Sequence, residues 1–231
     1  MIRVNIIGQG NLATHLISAF KNSSSIVVNL INSRNILPIP TADITIISVA
    51  DDAIKLVSEQ IRRHKSLVVH TSGTVSIEAV LNQRKGVFYP LQTFTKGTQI
   101  DFTNIPFCIE TSENKDFELL SKLANALQAK VYRISTEQRK KLHIAAVFAN
   151  NFSNHMFAIA NAICEQHNVP FEILHPLIKE TSAKITKIAP KMAQTGPAKR
   201  NDLETIENHL EQLNLQQQEM YKLITKSIQE N

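Results

Sequence analysis

The chain has 231 residues, of which 43% are hydrophobic, and its 25 Lys and Arg against 20 Asp and Glu give a formal net charge of +5. This length suits one large domain or two smaller ones with a buried core. The basic residues are dispersed, Trp is absent and no stretch approaches about 18 apolar residues, so we expect neither nucleic-acid binding nor a membrane-spanning helix.

Up to about residue 133, short apolar runs alternate with helical patterns. This alternation is typical of a parallel sheet with helices on both faces, and it predicts the α/β class with a doubly wound sheet. The predicted strands are Ile2–Ile7, Ile26–Ile31, Ile44–Val49, Leu67–His70, Gly86–Phe88 and Phe107–Ile109. The predicted helices between them are Asn11–Lys21, Asp52–Arg63, Ser76–Gln83 and Lys115–Gln128.

From Thr136 onward the pattern is helical only, with prolines and one Gly-Pro pair between the segments. The predicted helices are Leu142–His167, Phe171–Ile188, Leu203–Leu213 and Leu215–Ile228. We therefore predict two domains, residues 1–135 with the sheet and residues 136–231 with helices alone.

A glycine-rich turn follows the first predicted strand directly and precedes the first predicted helix. Its residues are Gly8, Gln9, Gly10, Asn11, Leu12 and Ala13. The first Gly permits a tight turn, the second lets the backbone approach a pyrophosphate, and the small Ala13 lets the helix pack close to its strand. The pattern predicts a dinucleotide site, and the alternative is a tight turn that binds nothing.

The end of the second predicted strand bears on which dinucleotide is bound. An acidic residue there would bind the ribose 2′-hydroxyl of NAD, but the chain has no Asp or Glu before Asp43. Ser33 and Arg34 instead offer a hydroxyl and a guanidinium, which suit a 2′-phosphate. The sequence therefore favours NADP(H), and the alternative is that Arg34 is a solvated loop residue.

Ligands of open α/β sheets bind beyond the carboxyl ends of the strands. After the third predicted strand we expect Val49, Ala50 and Asp51 beside the cofactor, although capping of the next helix is the simpler role for Asp51 or Asp52. Polar candidates also follow the fourth and fifth strands. These are His70, Thr71, Ser72, Gly73, Tyr89 and Gln92.

Two of the candidate positions have open alternatives. His70 either donates a proton to a substrate oxygen or only holds its loop by hydrogen bonds. Arg200 either binds a substrate carboxylate or pairs with an acid at a dimer interface.

A mostly apolar helix carries a second set of polar residues. At 3.6 residues per turn, His143, Val147, Asn150 and Asn154 share one stripe, and we favour a site-facing role over packing because buried amides need partners. The candidate catalytic residues are thus His70, Ser72, His143 and Asn150. The candidate substrate contacts are Thr71, Gly73, Tyr89, Gln92, Asn154 and Arg200.

Cysteine use and the N-terminal sequence bear on the compartment. Cys108 and Cys164 form neither a disulfide framework nor a metal-binding spacing. The N-terminus has one Arg and a short apolar run, which is not the pattern of a signal peptide. We expect a cytoplasmic protein without a bound metal.

Six motifs in this order resemble the two-domain Rossmann-like proteins with a C-terminal helical domain of unknown function. The motifs lie at 8–13, 48–54, 70–73, 89–94, 145–155 and 195–198. That family is similar in plan to pyrroline-5-carboxylate reductases, prephenate dehydrogenases, β-hydroxyacid dehydrogenases and deazaflavin-dependent NADP reductases. The resemblance implies NADP(H) in the first domain, a homodimer formed by the helical domain and a small-molecule substrate in the cleft between domains.

The chain departs from two of these relatives at positions that matter for chemistry. β-Hydroxyacid dehydrogenases place a catalytic Lys four residues before an Asn, and if Asn150 is that Asn the position holds Ala146. Prephenate-type enzymes have His before the Pro after the fifth strand, where this chain has Tyr89 before Pro90. If hydride transfer occurs, His70, Tyr89 or His143 must handle the proton.

These observations lead to one main hypothesis and two rivals. The main hypothesis is an NADP(H)-dependent oxidoreductase acting on a small carbonyl, imine or hydroxy compound. The first rival is a non-catalytic NADP(H)-binding regulatory protein, which the missing Lys at Ala146 favours. The second is an interaction module that has no cofactor affinity.

Overall fold

A computed structural model describes residues 1–230 and contains one seven-stranded sheet. The strand order is β2-β1-β3-β4-β5-β6-β7. The strands are β1 Ile2–Ile7, β2 Ile26–Ile31, β3 Ile44–Ile47, β4 Leu67–His70, β5 Lys85–Pro90, β6 Pro106–Thr111 and β7 Lys130–Arg133. The predicted α/β class is confirmed, since helices flank this sheet and a helical region follows it.

Two strands, β6 and β7, run opposite to the other five strands of the sheet. β6 pairs with β5 in the antiparallel direction, whereas every other neighbouring pair in the sheet is parallel. The predicted parallel sheet therefore differs from the structure at this one pair. The physical reason is the connection at 91–105, which contains no crossover helix, and a parallel neighbour usually needs one.

β7 was not predicted because its sequence has little strand signal. It is an edge strand of four residues in which Lys130, Tyr132 and Arg133 are exposed. Only Val131 packs against the core from this strand. A short edge strand with mostly solvated side chains lacks the apolar run that marks the interior strands.

Four helices lie in the part of the chain that forms the sheet. They are α1 Asn11–Lys21, α2 Ile54–Gln60, α3 Asn114–Asn125 and α4 Thr136–Ala146. A 3₁₀ turn at Asp51–Ala53 precedes α2, so the predicted helix Asp52–Arg63 is shorter than expected. A π-helical segment, Val147–Phe152, follows α4.

The predicted helix Ser76–Gln83 is wrong and is only a 3₁₀ turn, Ile77–Ala79. Side-chain oxygens accept hydrogen bonds from its backbone N–H groups: Thr136 Oγ1 from Ile77 at 3.3 Å and Ser58 Oγ from Leu81 at 2.7 Å. Donors bound to side chains do not complete the backbone ladder of an α-helix.

The two faces of the sheet bury separate apolar clusters. On one face, Val4 and Ile6 pack with residues of α1 and α3, among them Phe20 and Leu120. On the other face, Ile7, Ile47 and Val68 pack with Ile54 and Val57 of α2. Because side chains alternate between the faces of a strand, one run of buried residues serves both clusters.

The chain divides into two compact units, Met1–Ser153 and the residues from Asn154 onward. The predicted boundary near residue 136 stays a prediction. The remaining helices are α5 Ser153–Gln166, α6 His175–Lys184, α7 Pro190–Ala193, α8 Pro197–Arg200, α9 Leu203–Glu211 and α10 Leu215–Gln229. A 3₁₀ turn at Phe171–Leu174 begins the region predicted as one helix to Ile188. Within residues 1–230, no helix combines the length and apolar character that crossing a membrane requires.

Candidate functional site

Gly8 is required by the protein's own backbone. Its φ is +128°, a region that L-residues rarely adopt, and a Cβ there would lie 2.0 Å from the carbonyl oxygen of Ser48. Its N–H donates to the Ile31 carbonyl at 3.1 Å. Gly8 therefore allows the chain to turn directly after β1, where it lies against the residues that end β2 and follow β3.

Gly10 is not required by any protein contact. It is the N-cap of α1 with an ordinary extended conformation, φ −71° and ψ 177°. A Cβ at Gly10 would meet no atom within 4 Å. No side chain caps α1 and its first turn has no acidic residue, so the N–H groups there are available to an anion.

A cavity of about 700 Å³ opens at the carboxyl ends of β1 to β4. We call it the first cavity, and its lining residues are Gly8, Gln9, Gly10, Asn11, Leu12, Asn32, Ser33, Arg34, Ser48, Val49, Ala50, Asp51, Thr71 and Ser72. β1 lies between β2 and β3, which is the switch point where ligands of such sheets bind. Ala13 is the one predicted cofactor residue that lies elsewhere, because it is fully buried in the core under α1.

Arg34 is exposed at the rim of the first cavity. Its backbone N–H donates to Asn32 Oδ1 at 2.9 Å, which shapes the loop after β2. Across residues 1–230 its guanidinium forms no ion pair with a carboxylate. Arg34 is thus a cation that a phosphate can bind without displacing an acid.

Asp51 does not cap the helix that follows it, and neither does Asp52. Neither the 3₁₀ turn Asp51–Ala53 nor α2 has a side-chain cap, so the capping interpretation is wrong. Asp51 Oδ2 instead accepts a hydrogen bond from Thr74 Oγ1 at 2.6 Å. This bond links the loop after β3 to the loop after β4, and it decides where the Asp51 carboxylate lies in the first cavity.

His70 is fully buried, and backbone groups occupy both of its ring nitrogens. Nδ1 accepts from the Ser72 N–H at 3.1 Å, and Nε2 donates to the Ser76 carbonyl at 3.3 Å. Burial, with the nearby Arg139 charge, lowers the pKa of His70 to about 4. The geometry favours the loop-holding alternative, because a neutral imidazole with both nitrogens occupied has no proton to give a substrate.

The low pKa of His70 predicts a pH-dependent loss of stability. Unfolding lets this His take up a proton below its usual pKa of about 6.5, whereas the folded form resists protonation down to about 4. We therefore expect the unfolding free energy to fall by on the order of 3 kcal/mol from this group as pH drops through that window. Urea unfolding at several pH values measures it. His70→Gln keeps one acceptor and one donor without titrating, so its profile should be flatter, and identical profiles would contradict the assignment.

Ser72 organises the turn after β4 in a similar way. Its Oγ accepts from the N–H groups of Thr74 and Val75 at 3.1 and 3.0 Å. Thr71 and Ser72 line the first cavity. Gly73 lies against a different pair of residues, since a Cβ there would be 2.7 Å from His143 Nδ1 and 3.0 Å from the Tyr89 ring.

Tyr89 and His143 meet at a second cavity of about 480 Å³. Tyr89 Oη and His143 Nδ1 are 3.3 Å apart, within hydrogen-bond distance. The lining residues of this second cavity are Tyr89, Leu91, Gln92, Thr93, Leu142, His143, Ala145, Ala146, Val147, Ala149, Asn150 and Asn151. Four predicted site residues, Tyr89, Gln92, His143 and Asn150, are thus brought together.

The π-helical segment changes the expected helix face. Because its turns are wider than α-helical turns, the 3.6-residue period is interrupted at 147–152 and the prediction of one continuous α-helical stripe is wrong there. Asn150 and its neighbour Asn151 both line the second cavity. Asn154 and Arg200 belong to the other unit, where Asn154 is exposed and Arg200 lies 3.8 Å from Asp202.

Arg139 is a central residue that the sequence analysis did not single out. It is fully buried and donates to Glu110 Oε2 at 2.6 Å, to Thr136 Oγ1 at 3.3 Å and to the Val75 carbonyl. These bonds attach α4 to β6 and to the loop after β4. His143 lies one turn further along α4, so Arg139 also helps to position it. A charged residue in a polar helix start, Thr136–Lys141, gives no sequence signal of burial.

Comparisons with known proteins found one matching family model and several solved structures with a similar fold. The family model described as "Domain of unknown function (DUF2520)" matches residues 105–228. A crystal structure from Bacteroides fragilis, described as a "putative NADP oxidoreductase", is 36% identical, with a TM-score of 0.91 over 100% of this chain and 98% of that chain. A comparison with curated proteins found no match.

Two further solved structures share the fold at lower identity. A Thermotoga maritima protein is 21% identical, with a TM-score of 0.76 over 98% of this chain and 97% of that chain. An imine reductase from Aspergillus terreus, in complex with NADPH4 and a dibenzazepine, is 12% identical, with a TM-score of 0.64 over 98% of this chain and 93% of that chain. These likenesses confirm the expected plan of a Rossmann-like region followed by helices.

Proposed function

The chain belongs to the family described as a domain of unknown function, DUF2520, and on that premise we propose that it is an NADP(H)-dependent oxidoreductase. Its substrate is a small carbonyl, imine or hydroxy compound that gives or receives a hydride. The observation that carries the proposal is the first cavity, which is lined both by a glycine turn with free space at Gly10 and by Arg34, a cation with no ion pair in residues 1–230.

The residues of the first cavity fit NADP(H). The N-terminal N–H groups of α1 would bind the pyrophosphate above Gly10, where a side chain would otherwise project. Ser33 and Arg34 would bind the 2′-phosphate, and Val49 and Ala50 would contact the ribose by their backbone. When bound, NADPH supplies a hydride, and the protein contributes its binding and orientation.

The turn after β4 lies between the two cavities, and this position supports the proposal that the protein catalyses a reaction. Thr71 and Ser72 line the first cavity, and Gly73 lies against Tyr89 and His143 of the second. A substrate in the second cavity would therefore lie across this turn from a bound nicotinamide. A protein that only binds a dinucleotide does not need a second cavity with polar groups.

A non-catalytic NADP(H)-binding protein is the second candidate function. It is favoured by Ala146, which lines the second cavity at the position where the resemblance to β-hydroxyacid dehydrogenases would place a catalytic Lys. This candidate predicts cofactor binding without turnover of any carbonyl or imine compound.

We also propose that the helical unit forms a homodimer. In its described residues only Ala198 and Ile206 are buried hydrophobic residues. Large apolar side chains are exposed there, among them Leu177 at 63%, Met192 at 79% and Leu223 at 70%. Apolar surface of this kind marks interaction sites, and a second copy of the chain would cover it. Light scattering should give a mass of twice 25.9 kDa.

We also propose that the protein is cytoplasmic. Both cysteines are free, with Cys108 buried and Cys164 partly exposed. Free thiols are usual in a reducing compartment, where NADP(H) enzymes of this kind would find their cofactor.

Thermal unfolding with NADPH, NADP, NADH and NAD at the same excess tests the proposal. A ligand that binds only the folded state raises stability by RT ln(1 + [L]/Kd), which is about 2.7 kcal/mol at a hundredfold excess over Kd. We expect a shift with NADPH or NADP that exceeds the shift with NADH and NAD. No shift with any of the four would refute the proposal and leave an interaction protein.

Arg34→Ala should weaken NADPH binding selectively. Removing a charge-assisted hydrogen bond to the 2′-phosphate costs about 1.5–3 kcal/mol, a factor of roughly ten to a hundred in Kd. NADH lacks this phosphate, so its affinity should hardly change. Titration calorimetry measures both, and Arg63→Ala, an exposed Arg outside the first cavity, controls for the lost charge. Equal losses for the two cofactors would show that Arg34 does not bind the 2′-phosphate.

A further inference from the structure

Tyr89 and His143 stand out because they form a hydrogen-bonded pair directly beside the turn that separates the two cavities. Resting on the proposed function, we propose that the Tyr89 hydroxyl donates the proton in the reduction, and that His143 orients this hydroxyl and returns a proton to it afterwards. The substrate is an imine or ketone without an acid group.

The contacts select this pair among the three residues that the sequence left open. His70 has both ring nitrogens bound to backbone groups. Tyr89 and His143 both line the second cavity, and their Oη–Nδ1 separation is 3.3 Å. The rings are 6.4 Å apart between centroids in an edge-on arrangement. Of the three candidates, Tyr89 and His143 present a hydroxyl and an imidazole together to the second cavity, which is large enough for a small substrate.

Tyr89 is suited to hold a proton until it is needed. Desolvation by burial raises the pKa of Tyr89 above its ordinary value, so the phenol stays protonated at neutral pH. Its ring is on β5, where its register partner across the antiparallel pair is Cys108 on β6. Because the strand and α4 hold the two partners, neither side chain depends on a flexible loop.

The proton and electron balance of the step is complete. The hydride from NADPH adds two electrons and a hydrogen to the carbon of the C=N or C=O bond. The π electron pair moves to nitrogen or oxygen, which takes the proton from Tyr89 Oη. The phenolate then regains a proton from His143 Nδ1, and the imidazole takes one from solvent at Nε2. His143 is partly exposed, which gives it access to that solvent proton.

The substrate class follows from the charges around the second cavity. Its lining residues in residues 1–230 include no Lys, Arg, Asp or Glu. A carboxylate or phosphate placed there would lose hydration without gaining an ion pair, which is unfavourable. Gln92, Asn150 and Asn151 offer amide hydrogen bonds, and alanines and leucines provide the apolar wall. This lining fits an uncharged carbonyl compound or an imine.

The packing around Gly73 leaves no room for a side chain beside Tyr89 and His143. A Cβ at this position would lie 2.7 Å from His143 Nδ1 and 3.1 Å from Tyr89 Oη. Either side chain would have to move by several tenths of an ångström, which would break the hydrogen bond between them. Gly73→Ala is therefore a probe of the pair that leaves both side chains chemically intact.

The test is NADPH oxidation by the full-length protein with methylpyrroline and cyclohexanone, which have no acid group, and with pyrroline carboxylate, the matched acid. We expect the acid to be the poorest substrate by at least roughly tenfold in kcat/KM. Tyr89→Phe should lower kcat about 10²- to 10⁴-fold, the usual contribution of a general acid. KM for NADPH and the NADPH thermal shift should stay at wild-type values, which also shows that the variant folds.

His143→Gln and Gly73→Ala test the positioning role. Each should lower kcat with little change in KM, and each should increase the solvent isotope effect because proton transfer becomes slower than the other steps. Combining Gly73→Ala with Tyr89→Phe should add little to the loss from Tyr89→Phe alone, since both act through one hydroxyl. Tyr132→Phe makes the same chemical change on the exposed edge strand β7 and is the matched control.

Each outcome decides a different part of the inference. Wild-type kcat in Tyr89→Phe would exclude it as the proton donor. Better turnover of pyrroline carboxylate would overturn the substrate class. Turnover of no probe despite an NADPH shift would overturn this inference and favour the NADP(H)-binding alternative, and the absence of any NADPH shift would overturn the proposed function itself.

Discussion

Gly10→Ala is expected to weaken NADPH binding strongly while leaving the free protein folded and at least as stable as before. Its backbone is in an ordinary extended conformation, and a Cβ would meet no protein atom within 4 Å. Replacing Gly under these conditions stabilises a protein by about 0.4–1 kcal/mol, because the unfolded chain loses freedom. The methyl group would occupy the space proposed for the pyrophosphate. Overpacking there costs about 1–3 kcal/mol or more, which is roughly a ten- to hundredfold loss of NADPH affinity.

Gly8→Ala is the matched change two residues earlier, and its expected result is the reverse. The positive φ of 128° and the 2.0 Å approach to the Ser48 carbonyl leave no room for a side chain. We expect a loss of about 3 kcal/mol or more in unfolding free energy. Urea unfolding and NADPH titration of both variants make the comparison. A Gly10→Ala protein that binds NADPH like the wild type would show that the pyrophosphate does not lie on this turn.

Arg139→Met is expected to lower the free energy of unfolding much more than Arg34→Ala or Arg63→Ala, which remove charges from exposed residues. Arg139 is fully buried, and its partner Glu110 keeps 19% of its side chain exposed. Removing one member of a buried ion pair leaves the other without compensation and costs about 3–5 kcal/mol. The Val75 carbonyl loses its donor at the same time, and Thr136 Oγ1 keeps only the N–H of Ile77 as a donor. Urea unfolding at neutral pH gives the free energy directly.

The double variant Arg139→Met with Glu110→Gln separates the lost ion pair from the lost packing. With both charges gone, no uncompensated carboxylate remains, so the double variant should be more stable than Arg139→Met alone. Thr136 can still donate to the amide oxygen at residue 110, as it does to Glu110 Oε2 at 2.7 Å. If the double variant were no more stable, the stabilisation by Arg139 would be due to its packing rather than its charge.

Arg139→Met also links stability to the candidate site. His143 is four residues further along α4, on the same side of the helix. Loosening the attachment of α4 should lengthen the Tyr89–His143 contact, which is 3.3 Å in the intact protein. In the proposed enzyme this would lower kcat before it affects NADPH binding, because Arg139 does not line the first cavity.

The sheet strands and the glycine turn could be predicted because their signals are local. β1, β2 and β4 have the predicted bounds, since each is a short, mostly apolar run between turn or polar residues. Ten of the eleven predicted cofactor residues line one cavity. The helix at Ser76–Gln83 could not be excluded in this way, because Ser58 and Thr136, which bind its N–H groups, are distant in sequence.

The periodicity and glycine spacing of the chain were enough to establish an α/β fold with a Rossmann-like beginning and a helical end, because burial and turn geometry act on neighbouring residues. Tertiary structure alone decided that β6 is antiparallel, that His70 is held by backbone groups, and that Arg139 is buried beside Glu110. It also brought Tyr89 and His143 together from positions 54 residues apart. Such contacts depend on how whole elements pack, and no local pattern of residue types carries that information.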